Sequence, residues 1–125
     1  MRSDLIAAHG PLGVIEYLWL REHLRRVEAL LGAAETVRAM APGWWRGQRS
    51  LVVVTTSRLL LVRLQLNCST RDHVAYPLHS IGTLRAHACP PEGMRFRVGL
   101  GLDLEEFSVI RRGDLVKRAL RQTES

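Results

Sequence analysis

Two apolar runs separated by a short polar turn constrain this chain most. Residues 51–54 (Leu-Val-Val-Val) and 59–62 (Leu-Leu-Leu-Val) flank the turn Thr55-Thr56-Ser57-Arg58. Runs this rich in valine and leucine, broken by small hydroxyl residues, are typical of two buried strands of a β-hairpin. The sequence therefore predicts strands at 51–55 and 59–64.

Alternation of apolar and polar residues predicts further strands on both sides of this hairpin. A period of two begins at Glu35, and Pro42-Gly43 is predicted to end that first strand. Phe107 and Val109 are predicted to face inward. Strands at this spacing, joined by polar turns, favour a small antiparallel sandwich or barrel. The four later alternating segments are 74–78, 84–88, 94–100 and 104–110.

Helices are predicted at both ends. Apolar residues spaced by three and four lie on one face of a helix from Leu12 to Gly32, and Leu18 with Trp19 adds a second apolar edge. Asp114 is predicted to cap a helix over 113–122. The sequence thus divides into an N-terminal helical extension, 1–32, and a second unit, 33–125. The apolar face of the first helix holds Tyr17, Leu20, Leu24, Val27 and Leu31, and that of the second holds Leu115, Val116, Ala119 and Leu120.

The hairpin resembles bacterial pleckstrin-homology-like domains of the YokE type, which carry a strand reading roughly Gly-x-Leu-x-x-Thr-x-x-Arg-Leu-Leu. The matching residues are Leu51, Thr55, Arg58, Leu59 and Leu60. The resemblance covers about residues 33–122. It implies an α+β, mainly β fold: a seven-stranded antiparallel bent barrel in two near-orthogonal sheets, plugged at one end by the C-terminal helix.

Composition narrows the classes of function. The chain has 125 residues, enough for one domain with a real core, and its formal charge of +6 leaves room for an anionic partner. Seventeen of the eighteen basic residues are arginine, so codon usage is an alternative explanation of the charge. Cys68 and Cys89 have no paired spacing and are interpreted as free thiols. With no apolar run long enough to span a membrane, a cytoplasmic location is predicted.

Catalytic, cofactor and metal sites are not predicted. The sequence contains none of the common nucleophile, phosphate-loop or zinc-protease motifs. The nearest approach to a metal site is His73, His79, His87 and Cys89, which lack the paired spacing of zinc ligands. Surface imidazoles are the favoured interpretation.

The segment from Pro42 to Arg49 is predicted to be a loop that joins two neighbouring indoles to two arginines. In phosphoinositide-binding pleckstrin-homology domains, which have the fold that the resemblance implies, this loop supplies the basic residues that grip the lipid headgroup. Indoles beside cations also suit a membrane interface. The alternative is that one tryptophan covers the barrel mouth and the arginines are solvated. The candidate ligand residues are Arg38, Trp44, Trp45, Arg46 and Arg49.

Nucleic acid and protein are two other classes of partner. Nucleic acid would use Arg85, Arg95 and Arg97, but it is disfavoured because Phe96 and Phe107 are predicted to face inward, which leaves no aromatic side chain for base stacking. Protein binding is favoured, because the N-terminal helix has more apolar surface than one contact needs. That helix packs on its own barrel or on a second copy in a homodimer. The candidate interface is Tyr17, Leu18, Trp19, Leu20, Leu24, Val27 and Leu31.

The sequence therefore favours a non-catalytic interaction or assembly module. The alternative is a peripheral binder of anionic membrane lipid.

Overall fold

The computed structural model describes residue 25 and residues 27–63, 73–90 and 93–121. Seven strands and a C-terminal helix follow one another in this part of the chain, as the sequence predicts. The strands are β1 (Val37–Trp45), β2 (Gln48–Thr55), β3 (Arg58–Arg63), β4 (His73–Pro77), β5 (Thr83–Cys89), β6 (Gly93–Leu100) and β7 (Asp103–Val109). A short 3₁₀ turn, Leu78–Ser80, follows β4, and the C-terminal helix is Gly113–Arg121.

All seven strands are antiparallel and belong to one hydrogen-bonded sheet, in the order β4-β3-β2-β1-β7-β6-β5. The strands therefore form one continuous sheet where two near-orthogonal sheets were expected. The reason is that β1 is paired on both edges: with β2 along its length, and with β7 from Gly43 to Trp45. The Ile110 N–H also donates to the Pro42 carbonyl at 2.9 Å.

The sheet bends until its two halves face each other. Tyr76 lies on β4 and Glu105 on β7, four strand positions apart, which is roughly 19 Å in a flat sheet. The Tyr76 hydroxyl nevertheless donates to Glu105 Oε2 at 2.7 Å. This contact requires the inner faces of β4 and β7 to turn toward one another, and it confirms the predicted bent architecture.

The inner face holds the larger core, which the C-terminal helix covers. Phe96 and Phe107 stack with ring centroids 5.1 Å apart, and Val116 is fully buried against this cluster. Leu115 is exposed, contrary to prediction. The helix begins at Gly113, as predicted, and the Leu115 and Val116 N–H groups both donate to the Arg112 carbonyl. Asp114 therefore lies inside the first turn, where the helix dipole still favours a carboxylate, and does not cap the helix.

A second, smaller core lies on the outer face of β1, β2 and β3. Residues 27–30 are helical and lie over this face, with Val27 fully buried and Leu30 and Leu31 partly buried. The sheet contributes Val37, Met40, Leu51, Val53, Leu60 and Val62. The central strands are thus covered on both sides, which explains their almost continuous apolar sequence. The remainder of the predicted N-terminal helix lies outside the described residues, and the division at residue 32 stays a prediction.

Pro42 and Gly43 do not end the first strand, contrary to prediction. They lie where β1 begins to pair with β7. A Cβ atom on Gly43 would collide with the Ser108 carbonyl oxygen, so glycine allows β7 to approach. The strand continues through this point for two more residues, Trp44 and Trp45.

Candidate functional site

The predicted loop from Pro42 to Arg49 is instead a tight hairpin. Trp45 pairs with Gln48, which leaves only Arg46 and Gly47 in the turn. Both have positive φ, 52° for Arg46 and 75° for Gly47, as expected for a two-residue turn that follows the twist of the strands. The prediction of a long loop was wrong because Pro42-Gly43, interpreted as a strand break, lies inside β1.

Placing both tryptophans on a strand sends their side chains to opposite faces of the sheet. Trp45 is 3% exposed and belongs to the inner core, whereas Trp44 is 47% exposed on the outer face. Trp45 therefore lies at the mouth of the bent sheet, which is the place that the alternative interpretation gives to one tryptophan. Trp44 has no such role in the core.

A buried carboxylate organises the mouth of the bent sheet. Glu105 Oε1 accepts a hydrogen bond from Trp45 Nε1 at 2.9 Å. Its Oε2 accepts from the Tyr76 hydroxyl at 2.7 Å and from Arg46 Nη2 at 3.1 Å. Glu105 thereby joins β1, β4 and β7 and the first hairpin turn, and we call these four residues the Glu105 cluster.

The hydrogen bonds decide the ionisation of this cluster. Burial pushes the pKa of Glu105 upward, but the hydrogen bonds from Tyr76, Trp45 and Arg46 together outweigh it, and the net shift is downward. Burial, with the neighbouring Glu105 carboxylate, raises the pKa of Tyr76 to about 12. Glu105 is therefore a carboxylate and Tyr76 a neutral donor at neutral pH.

Cations at this mouth already have partners. The Arg46 guanidinium lies 4.6 Å from the Trp45 ring centroid and also pairs with Glu105. Arg63 lies 5.3 Å from the same ring. The ion pair offsets the charge of Arg46, and both guanidinium groups lie against the Trp45 ring.

The outer face carries a different set of side chains. Strand register places His87 opposite Arg95, Arg95 opposite Ser108, Ser108 opposite Trp44, and Trp44 opposite Arg49. In the adjacent row, Arg85 lies opposite Arg97. We call this surface the basic face; its basic and aromatic residues are Trp44, Arg49, Arg85, His87, Arg95 and Arg97. A groove of about 520 Å³ runs over its β7 part, bordered by Trp44, Arg95, Leu104, Glu106 and Ser108.

The five predicted ligand residues are therefore divided among three places. Trp44 and Arg49 lie on the basic face, and Trp45 and Arg46 belong to the Glu105 cluster. Arg38 lies at the far end of β1, beside Val37, which pairs with Thr55. No single ligand loop brings them together.

Thr55 and Arg58 are the two polar residues that match the strand pattern of pleckstrin-homology-like domains, and both have a structural role. Arg58 donates to Glu35 through Nε at 2.8 Å and through Nη2 at 2.6 Å, and Nη2 also donates to the Leu30 carbonyl at 2.7 Å. The Thr55 hydroxyl donates to Glu35 Oε2 at 2.6 Å, and the Ser57 hydroxyl does so at 2.9 Å. This cluster ties the segment before β1 to the β2–β3 turn.

Sequence reasoning missed the two organising carboxylates. A signal existed for Glu105, because alternation with Phe107 and Val109 puts position 105 on the inner face, where an unpaired acid would be costly. Glu35 stands at the start of the first alternating segment, but nothing in that pattern distinguishes it from a solvated acid.

Three further predictions concern the candidate interface, metal binding and membrane spans. Val27 and Leu31 of the candidate interface pack on the chain's own sheet, whereas Tyr17, Leu18, Trp19, Leu20 and Leu24 lie outside the described residues. Among described residues, no group of three His, Cys, Asp or Glu side chains is arranged to hold a metal ion. The described helical residues include no helix long and apolar enough to cross a membrane.

Comparison with known proteins supports the fold. The sequence matches no protein-family model. It likewise matches no curated protein. A DUF1696 family protein with a pleckstrin-homology domain from Shewanella loihica PV-4 superposes with a TM-score of 0.52 at 13% identity, covering 82% of this chain and 91% of that one. A pleckstrin homology domain from Shewanella amazonensis SB2B gives a TM-score of 0.49 at 14% identity, over 82% of this chain and 96% of that one. The chain has a pleckstrin-homology-like fold.

Proposed function

We propose that this chain is a non-catalytic interaction module that binds an anionic partner through its basic face. The observation that carries the proposal is the position of Trp44, a large aromatic side chain left 47% exposed in a row with Arg49 and Arg95. Such an indole adds little to folding, because the core contains Trp45 instead. Aromatic residues beside arginine are typical of binding surfaces.

The charge pattern of the basic face supports an anionic partner. Arg85 and Arg97 lie directly opposite each other on β5 and β6, an arrangement that costs stability in a sheet. Glu106 offsets part of this, since Arg97 Nε donates to it at 2.8 Å. Within the described residues, Arg85 and Arg95 form no ion pair. A bound anion would relieve the repulsion that the fold leaves in place.

The buried carboxylates support a non-catalytic role. A general acid or base works best when its pKa is near the operating pH. The hydrogen bond from Arg58 lowers the pKa of Glu35 far below its usual value, and the pKa of Glu105 is also lowered. Both are therefore fixed as hydrogen-bond acceptors, and they join parts of the fold instead of exchanging protons.

A polyanion without bases or acyl chains tests this proposal directly. We expect the full chain to be retained on immobilised heparin and to elute at lower salt when Arg85 and Arg95 are both changed to alanine. The matched control is Lys117→Ala with Arg118→Ala, which removes the same charge from the helix on the inner side of the sheet. Equal elution of the two double variants would show that net charge, and not the basic face, causes retention.

Anionic membrane lipid is the second candidate partner. The observation that favours it is Leu102, which is fully exposed at the β6–β7 turn. That turn borders the same cavity as Arg46 of the first hairpin, and exposed Leu104 is nearby. Cosedimentation with phosphatidylserine vesicles, lost in Leu102→Ser, would support this partner. Asp103 and Glu106 oppose it, because both are exposed acids near the same turn.

Self-association through the N-terminal helix remains a third possibility to test. It depends on Leu18 and Trp19, because Val27 is already buried within the chain. Sedimentation velocity should show a dimer that dissociates in Leu18→Glu with Trp19→Lys. A monomeric wild-type chain at high micromolar concentration would remove this proposal.

A further inference from the structure

We propose that the anionic partner is single-stranded nucleic acid, and that one base stacks between Trp44 and Arg95 above Ser108. This inference rests on the proposed function, since it specifies what the basic face binds. It uses three residues on three neighbouring strands, which the register places in one row.

Strand spacing leaves room for a base between Trp44 and Arg95, in a space above Ser108 that we call the notch. Trp44 on β1 and Arg95 on β6 flank β7, so their backbones are two strand spacings apart, roughly 10 Å. A planar ring in van der Waals contact with a flat group on each side needs about 7–8 Å. An indole and a guanidinium are the two kinds of flat group on which proteins stack unpaired bases.

The floor of the notch is small because residue 108 is serine. Its side chain is directly between Trp44 and Arg95 in the row and is only partly exposed. A larger side chain here would fill the space between the two walls. The Ser108 hydroxyl can donate or accept a hydrogen bond, so it can contact the edge of any base.

Charge gives the site a direction. Glu106 precedes Ser108 on the outward side of β7 and repels phosphate, whereas Arg85 and His87 lie beyond Arg95 on β5. The phosphates of a bound strand would therefore lie over β5 and β6, with the base toward β1. Arg49, on the other side of Trp44, extends the row to five strands, roughly 19 Å measured along the curved sheet, which suits several linked nucleotides better than one small anion.

The sequence-based objection to nucleic acid no longer applies to this face. Phe96 and Phe107 do face inward, as predicted. The missing aromatic side chain is Trp44, which was assigned to a loop and lies instead on β1 in line with Arg95.

Fluorescence anisotropy with a fluorescein-labelled 12-mer of oligo-dT tests the inference on the full chain. We expect Trp44→Ala to weaken binding about 10-fold, the loss typical of one base stack, and Trp44→Phe to recover most of it. Arg95→Ala should also weaken binding, because it removes the second stacking wall, whereas Arg85→Ala, on the side where the phosphates lie, should reduce the slope of log affinity against log salt by about 0.7, as loss of one phosphate contact does. Arg118→Ala is the matched control and should change the affinity less than 2-fold. Circular dichroism melting identifies any variant that has lost its fold.

An abasic 12-mer separates this inference from the proposed function. If bases stack in the notch, the abasic strand should bind about 10-fold more weakly than oligo-dT and should be insensitive to Trp44→Ala. Equal binding of the two strands would overturn the stacking site while leaving an anion-binding face. Binding to phosphatidylserine vesicles but to neither strand would overturn nucleic acid as the partner. If the chain bound neither heparin nor either of the two strands, both proposals would be overturned.

Discussion

Glu35 and Glu105 are equally buried, yet they are held in different ways. Glu35 receives hydrogen bonds from the Arg58 guanidinium, two hydroxyls and the Gly32 N–H at 3.0 Å. Glu105 receives three, from Trp45, Tyr76 and Arg46. The cation beside Glu35 is 31% exposed, whereas the cation beside Glu105 is 53% exposed. We call Glu35, Thr55, Ser57 and Arg58 the Glu35 cluster. Because solvent weakens an ion pair, the Glu35 cluster should contribute more to stability than the Glu105 cluster does.

The difference indicates separate tasks for the two clusters. The Glu35 cluster attaches the segment before β1 to the β2–β3 turn, on the side of the sheet where residues 27–31 cover the apolar outer face. The Glu105 cluster closes the bent sheet and fixes the first hairpin. By holding Trp45 inward, it also holds Trp44 outward on the basic face.

The largest effect is expected from Arg58→Ala. This change leaves the buried Glu35 carboxylate without its cation, and removing one partner of such a pair should cost about 3 kcal/mol of the free energy of unfolding. The control is Arg97→Ala, which removes an ion pair whose two side chains are each 53% exposed. Urea denaturation should show a loss of less than about 1 kcal/mol for that surface pair. Equal losses would mean that Glu35 is no better protected than Glu106.

The strands, their succession along the chain and the covering helix could be predicted because burial leaves periodic patterns. Alternation located β6 and β7 and put Phe107 and Val109 inside, and the two apolar runs located β2 and β3. The extent of β1 could not be predicted, because Pro42-Gly43 reads locally as a break. Its actual role, close approach of β7, depends on a strand more than 60 residues later.

The candidate site was harder to predict than the fold. A difference of a few residues in the end of β1 moved Trp44 from a loop to the outer face of a sheet, and with it changed which arginines it accompanies. The pairing of Trp44, Ser108 and Arg95 is a consequence of strand order and register, which no local pattern contains. Aromatic and cationic residues could be recognised as candidates, but their grouping could not.

The loss of stability expected from Glu105→Gln lies between those of Arg58→Ala and Tyr76→Phe. At pH 7 the change weakens the hydrogen bonds from Tyr76 and Arg46 to a charged acceptor, and we expect a loss of about 2 kcal/mol. The folded-state pKa of Glu105 is lowered, so the unfolded chain binds the proton more tightly, and this stabilisation is present above the ordinary pKa of 4.5 and is lost as the pH falls below it.

The stability difference between wild type and Glu105→Gln should therefore shrink as the pH falls below 4.5, because the folded-state pKa of Glu105 lies below that value. The same series with Glu35→Gln should shrink at a lower pH, since the pKa of Glu35 is lowered much further. Urea denaturation across this range checks both. A constant difference at every pH would show that ionisation of Glu105 does not stabilise the fold.

The smallest effect is expected from Tyr76→Phe, which removes one donor from Glu105 and leaves Trp45 and Arg46 in place. We expect a loss of about 1 kcal/mol at pH 7. The pKa of Tyr76 is raised from 10.0 to about 12, so the neutral phenol stabilises the folded state below pH 10 and this contribution is lost as the pH rises toward 12. Wild type should therefore lose more stability than Tyr76→Phe over that interval, measured by thermal melting with absorbance of the tyrosinate as a second readout. Parallel losses in both proteins would place the titrating group elsewhere and would reduce the Glu105 cluster to its contacts with Trp45 and Arg46.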